Sequence, residues 1–166
     1  ESYTTSQVLA VIQKNFDKKL AEAKAGATNT QMSDQEIVIL ASLLEREGRS
    51  LKSKQEIAGV LLNRLEIGMA LQIDASVQYA KDSKFTQKDY WQPISRTDLS
   101  IVSPYNTYLN PGLPPSPICS PGYNALYAAY HPIASDNLFY ITGTDGLMHY
   151  AKTLDEHNQN IAKYLK

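Results

Sequence analysis

Cysteine is nearly absent from this chain. The single thiol, Cys119, has no second cysteine to pair with, so neither an intrachain disulfide nor a thiolate zinc set can form. An excess of either charge is also missing: 16 basic residues against 17 acidic ones give a formal net charge of −1. Without a basic stripe to neutralise phosphates, nucleic acid is excluded as the main partner. No apolar run approaches the roughly 20 residues of a membrane span, and no leader peptide is visible. The chain opens on Glu1 rather than Met, as a piece or processed product of a longer protein would. The histidines, His131, His149 and His157, lie far apart without metal-motif spacing, so no metal is expected. No serine occupies a nucleophile-elbow pattern, and Cys119 sits among prolines with no helix N-terminus behind it. Covalent acyl chemistry is not signalled, and no cofactor is implied.

Phe and Trp are scarce too, 3 and 1, whereas Tyr numbers 11 among the 166 residues. A buried Tyr needs a partner for its hydroxyl, so tyrosines suit half-wet clefts better than dry cores. A hydrophobic content of 43% is enough for one compact core. The sequence contains no repeat or low-complexity tract, so residues 1–166 are read as a single domain.

Three sites carry the capping-box pattern, in which a Ser or Thr and a Glu three residues later satisfy each other's backbone amides. They are Ser33 with Glu36, Ser53 with Glu56 and Thr153 with Glu156, and they predict helices over 34–47, 54–67 and 154–165. Gly48 and Gly68 stand where helix-ending glycines belong. An earlier helix is expected over 5–25, a short one after Asp74, and another after Ser120-Pro121 with Pro at its first position. Strand signal is confined to 138–142 and 148–151, joined by Gly143-Thr144-Asp145-Gly146, which reads as a hairpin. The fold class is therefore α+β: a mostly helical domain with a small C-terminal antiparallel sheet. Most of the prolines fall within 103–122. The Tyr, Leu and Ile they accompany favour an ordered loop shaping a site over a solvated linker, and 103–117 is expected to border the same cleft as Glu45.

The segment 37–48 is apolar on nearly every side when wound at about 100° per residue, as a buried helix is. Glu45 falls beside Val38 and Ala41. A carboxyl held there loses hydration and keeps its proton to higher pH, which suits a general acid. Glu47 lies on the opposite flank between Leu40 and Leu43, and periodicity alone does not choose between the two. An ordinary Glu45–Arg49 ion pair is the plain alternative. In the next helix Arg64 shares a stripe with Ile57, Val60 and Leu61, so it must meet a carboxylate, line a wet cleft or snorkel outward. Gln72 and Asp74 have the same parity and face one side if extended; Asp74 also suits a helix N-cap.

Several short motifs occur in one order across residues 36–165. They are Leu40-Ala41-Ser42-Leu43-Leu44-Glu45-Arg46-Glu47, Asn63-Arg64-Leu65 with Ile67-Gly68-Met69, and Leu71-Gln72 with Asp74. Tyr105-Asn106-Thr107-Tyr108, Gly112-Leu113-Pro114-Pro115, Pro121-Gly122 and His157-Asn158 follow. In this the chain resembles the YceG-like family of endolytic murein transglycosylases, with 31–166 as the family-like catalytic core and the 1–30 helix matching only loosely. The resemblance implies a lytic transglycosylase that cuts the MurNAc–GlcNAc bond of peptidoglycan and leaves 1,6-anhydro-MurNAc ends. It assigns the acid, and afterwards the base, to the first Glu of the Glu-x-Glu pair, Glu45. It places Arg64, Gln72, Asp74, Tyr105, Asn106, Thr107 and Tyr108 on the substrate. It further implies peptidoglycan strands as partner, cell-wall synthesis proteins as neighbours, and a position on the outer face of the cytoplasmic membrane. The anchor for that position lies in an upstream helix outside these residues. One departure is that Met148 stands where the family often has a His, with His149 following; neither it nor Cys119 is assigned a role. A hydrolytic muramidase using Asp74 as second carboxylate and a non-catalytic peptidoglycan-binding module are the alternatives, and the end groups of the products separate all three.

Overall fold

The computed structural model describes residues 3–82 and 90–166. Helix α1 spans Thr5–Lys24, α2 Asp34–Glu47, α3 Leu51–Glu66, α4 Asp74–Asp82, α5 Tyr123–Tyr130 and α6 Leu154–Tyr164, with a 3-10 turn at Asp98–Ser100. Strands β1 (Phe139–Thr142) and β2 (Met148–Ala151) pair antiparallel, Tyr140 opposite Tyr150 and Ile141 opposite His149. The fold is thus the expected mostly helical α+β arrangement, with one two-stranded sheet before the last helix. Among the described residues no helix is long and apolar enough to cross a membrane.

Helix α2 is the central element because it is apolar all round. Ile37, Leu40, Ala41, Leu43 and Leu44 are each fully buried, and the helix packs on α3, α4 and α5. Small residues let α5 come close: Ala125, Ala128 and Ala129 are buried, with Leu126 and Tyr130 filling the gaps. Helix α6 lies against the hairpin. Chain direction around α2 is set by the helix ends. The boxes at Ser33–Glu36 and Thr153–Glu156 form as expected, and a further one forms at Thr4–Gln7.

The start of α3 differs from expectation. Its box is Ser50–Ser53, Ser50 Oγ accepting from Ser53 N at 3.1 Å and Ser53 Oγ from Ser50 N at 3.0 Å. The helix therefore begins a turn earlier than Ser53, and Glu56 is freed to accept from the Tyr150 hydroxyl at 2.8 Å. Helix α5 likewise starts at Tyr123, with Gly122 rather than Ser120 as N-cap. Gly48 ends α2 with an ordinary φ of −98°. Its need for glycine is steric instead, since a Cβ there would sit 2.6 Å from Lys54 Cγ and 2.9 Å from Lys54 N. Gly68 does adopt the left-handed conformation, φ +67°, as a residue just past a helix end does.

Candidate active site

Glu45 and Glu47 are about 200° apart on α2, so the last turn of this helix sends them to different surfaces. Glu45 points towards the N-terminus of α5. Its Oε2 accepts from Gly122 N at 3.3 Å and lies 3.5 Å from Lys54 Nζ. Lys54 is 5% exposed and also donates to the Leu44 and Glu45 carbonyls, at 3.1 and 3.2 Å. In place of the plain Glu45–Arg49 pair, Glu45 joins a clamp binding the end of α2 to α3 and α5, and it lines an open groove with Arg49, Gly122 and Asn124. The physical reason is the tight α2–α3 turn, which brings a buried ammonium against that flank.

Glu47 faces a cleft of about 440 Å³ that it shares with Arg64, Gln72, Asp74, Tyr108, Tyr140 and His157. The Tyr140 hydroxyl donates to Glu47 Oε2 at 2.9 Å. Burial, foremost, and the nearby charge of Asp74 hold the Glu47 carboxyl above its ordinary range, against the Tyr140 hydrogen bond and Arg46. Burial and the Glu47 carboxylate in turn push the Tyr140 phenol far up, so it remains a donor. A second arm of about 560 Å³ continues past Glu47 between α3 and the hairpin, lined by Arg49, Lys52, Glu56, Met148 and Tyr150. Glu47 is the residue that both cavities share in their linings.

Arg64 is 6% exposed, and it meets carbonyls rather than a carboxylate. Nε donates to Leu138 O at 2.6 Å and Nη1 to Leu71 O at 2.7 Å. The guanidinium therefore ties α3 to the 70–72 segment and to the start of the hairpin, while still lining the cleft. In the tied segment Leu71 and Ile73 are buried and Gln72 and Asp74 exposed, the facing that an extended chain would give, although the chain at Gln72 is not extended. Gln72 takes a left-handed φ of 52°, which non-glycine residues seldom hold without support. The support is its own N–H on Thr107 O at 3.0 Å. Asp74 opens α4, where helix amides favour its negative charge, and accepts from the Tyr108 hydroxyl at 2.6 Å.

Of the run 105–108 only Tyr108 reaches the cleft. Asn106 is fully buried and donates to the Leu99 and Ile101 carbonyls at 3.0 and 2.8 Å. Thr107 is 1% exposed and its Oγ1 accepts from Ile73 N at 2.9 Å. Tyr105 turns the other way, its hydroxyl 2.6 Å from Ser116 Oγ and its ring 4.8 Å from that of Tyr79. These three build the wall that holds Gln72, Asp74 and Tyr108. Farther along the proline-rich stretch, Ile118 N donates to Ser42 Oγ on α2 at 3.0 Å, and Leu113 and Pro114 line a separate groove. Burial first of all raises the Cys119 thiol. His149 stacks on Tyr164 at 3.5 Å and bonds Asp145, apart from Glu47. Sequence reasoning missed Tyr140 altogether and gave His157 no role. Glu47, between Leu40 and Leu43, carried the same kind of signal as Glu45 beside Val38 and Ala41, and both flanks border open space.

The YceG-like family matches over residues 1–163. A protein of Streptococcus pneumoniae serotype 2 strain D39 called endolytic murein transglycosylase is 32% identical over 166 residues, 99% of this chain and 30% of that one. One of the same name from Bacillus subtilis strain 168 is 34% identical over 158 residues, 95% of this chain and 42% of that one. The 2.6 Å crystal structure of a yceG-like protein from Listeria monocytogenes superposes with a TM-score of 0.79 at 33% identity, covering 95% of this chain and 49% of the other. The chain therefore spans between 30% and 49% of the length of these relatives. With a match along almost its whole length and a shared fold at one-third identity, the chain belongs to the YceG-like family.

Proposed function

We propose that this chain cleaves peptidoglycan glycan strands at the MurNAc–GlcNAc bond by lytic transglycosylation, with Glu47 rather than Glu45 as the acid. The observation that carries the reading is a carboxyl with a raised pKa shared by the linings of two cleft arms. A strand lying through both arms would present an internal bond to it, and the relatives named endolytic murein transglycosylase support that substrate. Protonated Glu47 gives its proton to the glycosidic oxygen as the bond breaks. The substrate's own acetamido group stabilises the cationic carbon, and the resulting Glu47 carboxylate removes the proton of the muramyl 6-hydroxyl. That oxygen closes on the anomeric carbon, leaving a 1,6-anhydro end and no requirement for water. Tyr140 steadies the carboxylate between the two steps. Gln72, Asp74, Tyr108 and Arg64 hold the sugars of one arm. Residues 1–166 act as one catalytic domain, with α1 packed on α5. Its substrate puts it on the wall-facing side of the cytoplasmic membrane, near cell-wall synthesis proteins.

A second reading rests on Asp74. Its charge bears on Glu47, and two carboxylates facing one cleft suit a hydrolytic muramidase. Purified glycan strands digested with wild type, Glu47→Gln and Glu45→Gln decide among these. Anhydro ends made by wild type and Glu45→Gln, but not by Glu47→Gln, are the expected result. Reducing ends would transfer the mechanism to the Glu47–Asp74 pair. Strands bound but left intact by wild type would make this a binding module. Activity lost in Glu45→Gln and kept in Glu47→Gln would restore Glu45.

A further inference from the structure

Among the described residues one buried side-chain nitrogen lacks a hydrogen-bond partner, Nδ1 of His157. The ring belongs to α6 and lines the same cleft as Glu47. It stacks on Phe139, with centroids 5.2 Å apart and planes at 27°, so its orientation is fixed by packing. A buried N–H with no acceptor is costlier and rarer than a lone pair with no donor. The proton of the neutral ring therefore belongs on Nε2, which is not enclosed in this way.

We propose that His157 is a substrate-binding residue: a neutral imidazole, fixed in one tautomer, whose Nε2–H donates to an acceptor oxygen of the sugar bound beside Glu47. This rests on the reading of the cleft as a glycan site. The groups facing the ring agree with it. Glu47 comes from α2, Arg64 from α3, Asp74 from α4, Tyr108 from the loop and Tyr140 from β1. Asp74 and Glu47 already have donors in Tyr108 and Tyr140, which leaves the His157 N–H for the substrate. Burial, then Arg64, push the imidazole below its ordinary 6.5, so it stays uncharged at neutral pH and takes no part in proton transfer.

The test compares wild type with His157→Phe, which keeps a ring on Phe139 but no donor, and with His157→Gln, whose side-chain amide puts a donor near the Nε2 position. On glycan strands the Phe variant should raise KM about tenfold, the worth of one hydrogen bond of about 1.4 kcal/mol. It should leave kcat within about threefold and the pH profile unchanged, and Gln should restore most of the KM. Ring-nitrogen NMR of wild type at pH 7 should show protonated Nε2 and bare Nδ1, a readout that survives if the Phe variant fails to fold. An unchanged KM in a folded Phe variant, an Nδ1–H tautomer, or a predominantly charged imidazolium at pH 7 would overturn the proposal while leaving the glycan reading intact. So would a limb of the wild-type pH profile that disappears in the variant. A wild type that neither binds nor cuts glycan would remove both.

Discussion

Glu47→Gln should stop glycan cleavage and yet leave the protein at least as stable as wild type at neutral pH. Desolvation is the main cause of the raised Glu47 pKa, with Asp74 adding to it. A carboxyl whose folded pKa lies above its unfolded one holds its proton more tightly in the folded chain. Between the two values the folded protein binds more protons, so stability falls as pH rises through that window, by at most about 1.4 kcal/mol per pH unit. Below the ordinary value of 4.5 both states are protonated and no penalty exists; above the folded value it is complete and constant. Gln has no proton to lose and keeps an oxygen for the Tyr140 hydroxyl. The difference between variant and wild type therefore starts near zero in acid and grows in the variant's favour. Glu47 is only half-buried, so solvent screens part of the effect. A net gain of about 1 kcal/mol corresponds to roughly 2–4 °C in a chain of this size.

Glu45→Gln should do the reverse. It removes the carboxylate beside buried Lys54, leaving the ammonium on two carbonyls, and costs about 1 kcal/mol at neutral pH. Cleavage should persist. The assay is thermal melting of all three proteins from pH 4 to 8 beside glycan digestion. A Glu47→Gln protein that is less stable at pH 7 than wild type, or a folded Glu45→Gln protein that no longer cuts, would refute the reasoning.

Three further outcomes follow from the same contacts. Tyr140→Phe removes the hydrogen bond that opposes the Glu47 shift, so the alkaline limb of the pH–rate profile should move to higher pH. Thr107→Val strands Ile73 N–H in the core and should cost about 1–3 kcal/mol in denaturant melts, with kcat of the folded fraction nearly unchanged. Gly48→Ala drives a Cβ into Lys54 and should lower stability by about 1–3 kcal/mol, read as a fall in Tm.

Features written in one element's own residues were legible. The all-round apolar pattern of 37–44 predicts the buried α2, and the alternation of 71–74 predicts which of those residues face out. Features made by backbone at a distance were not. Arg64 is visibly misplaced on an apolar stripe, but its partners are the Leu71 and Leu138 carbonyls, and a carbonyl leaves no residue-type signature. Asn106 and Thr107 have the polarity of sugar-binding residues, but a loop folding on itself needs the same groups to satisfy its own amides. Only the three-dimensional path shows that they serve the loop and Tyr108 serves the cleft. The Ser50–Ser53 box was masked because Ser53–Glu56 fits the capping pattern better by residue type.

The two glutamates of α2 show how one helix end gives two carboxylates different surroundings. Both stand in the last turn, where unpaired carbonyls give the helix its negative pole and disfavour a further anion. At Glu45 that disadvantage is offset from two sides. Lys54 covers the Leu44 and Glu45 carbonyls and the carboxylate together, and the first amide of the α5 turn adds a donor through Gly122. Glu47 is the final residue of the helix and has a phenol hydroxyl, only a weak pull from Arg46 and the charge of Asp74 instead. A neutral donor steadies an anion without removing the cost of forming it, so the proton is retained until a stronger need arises. The requirement on the sequence is thus asymmetric: an ammonium three residues into α3 on one flank, and a tyrosine from the hairpin on the other. The hairpin and α6, small as they are, have the task of closing that second flank with Tyr140 and His157 while leaving the two cleft arms open on either side of Glu47.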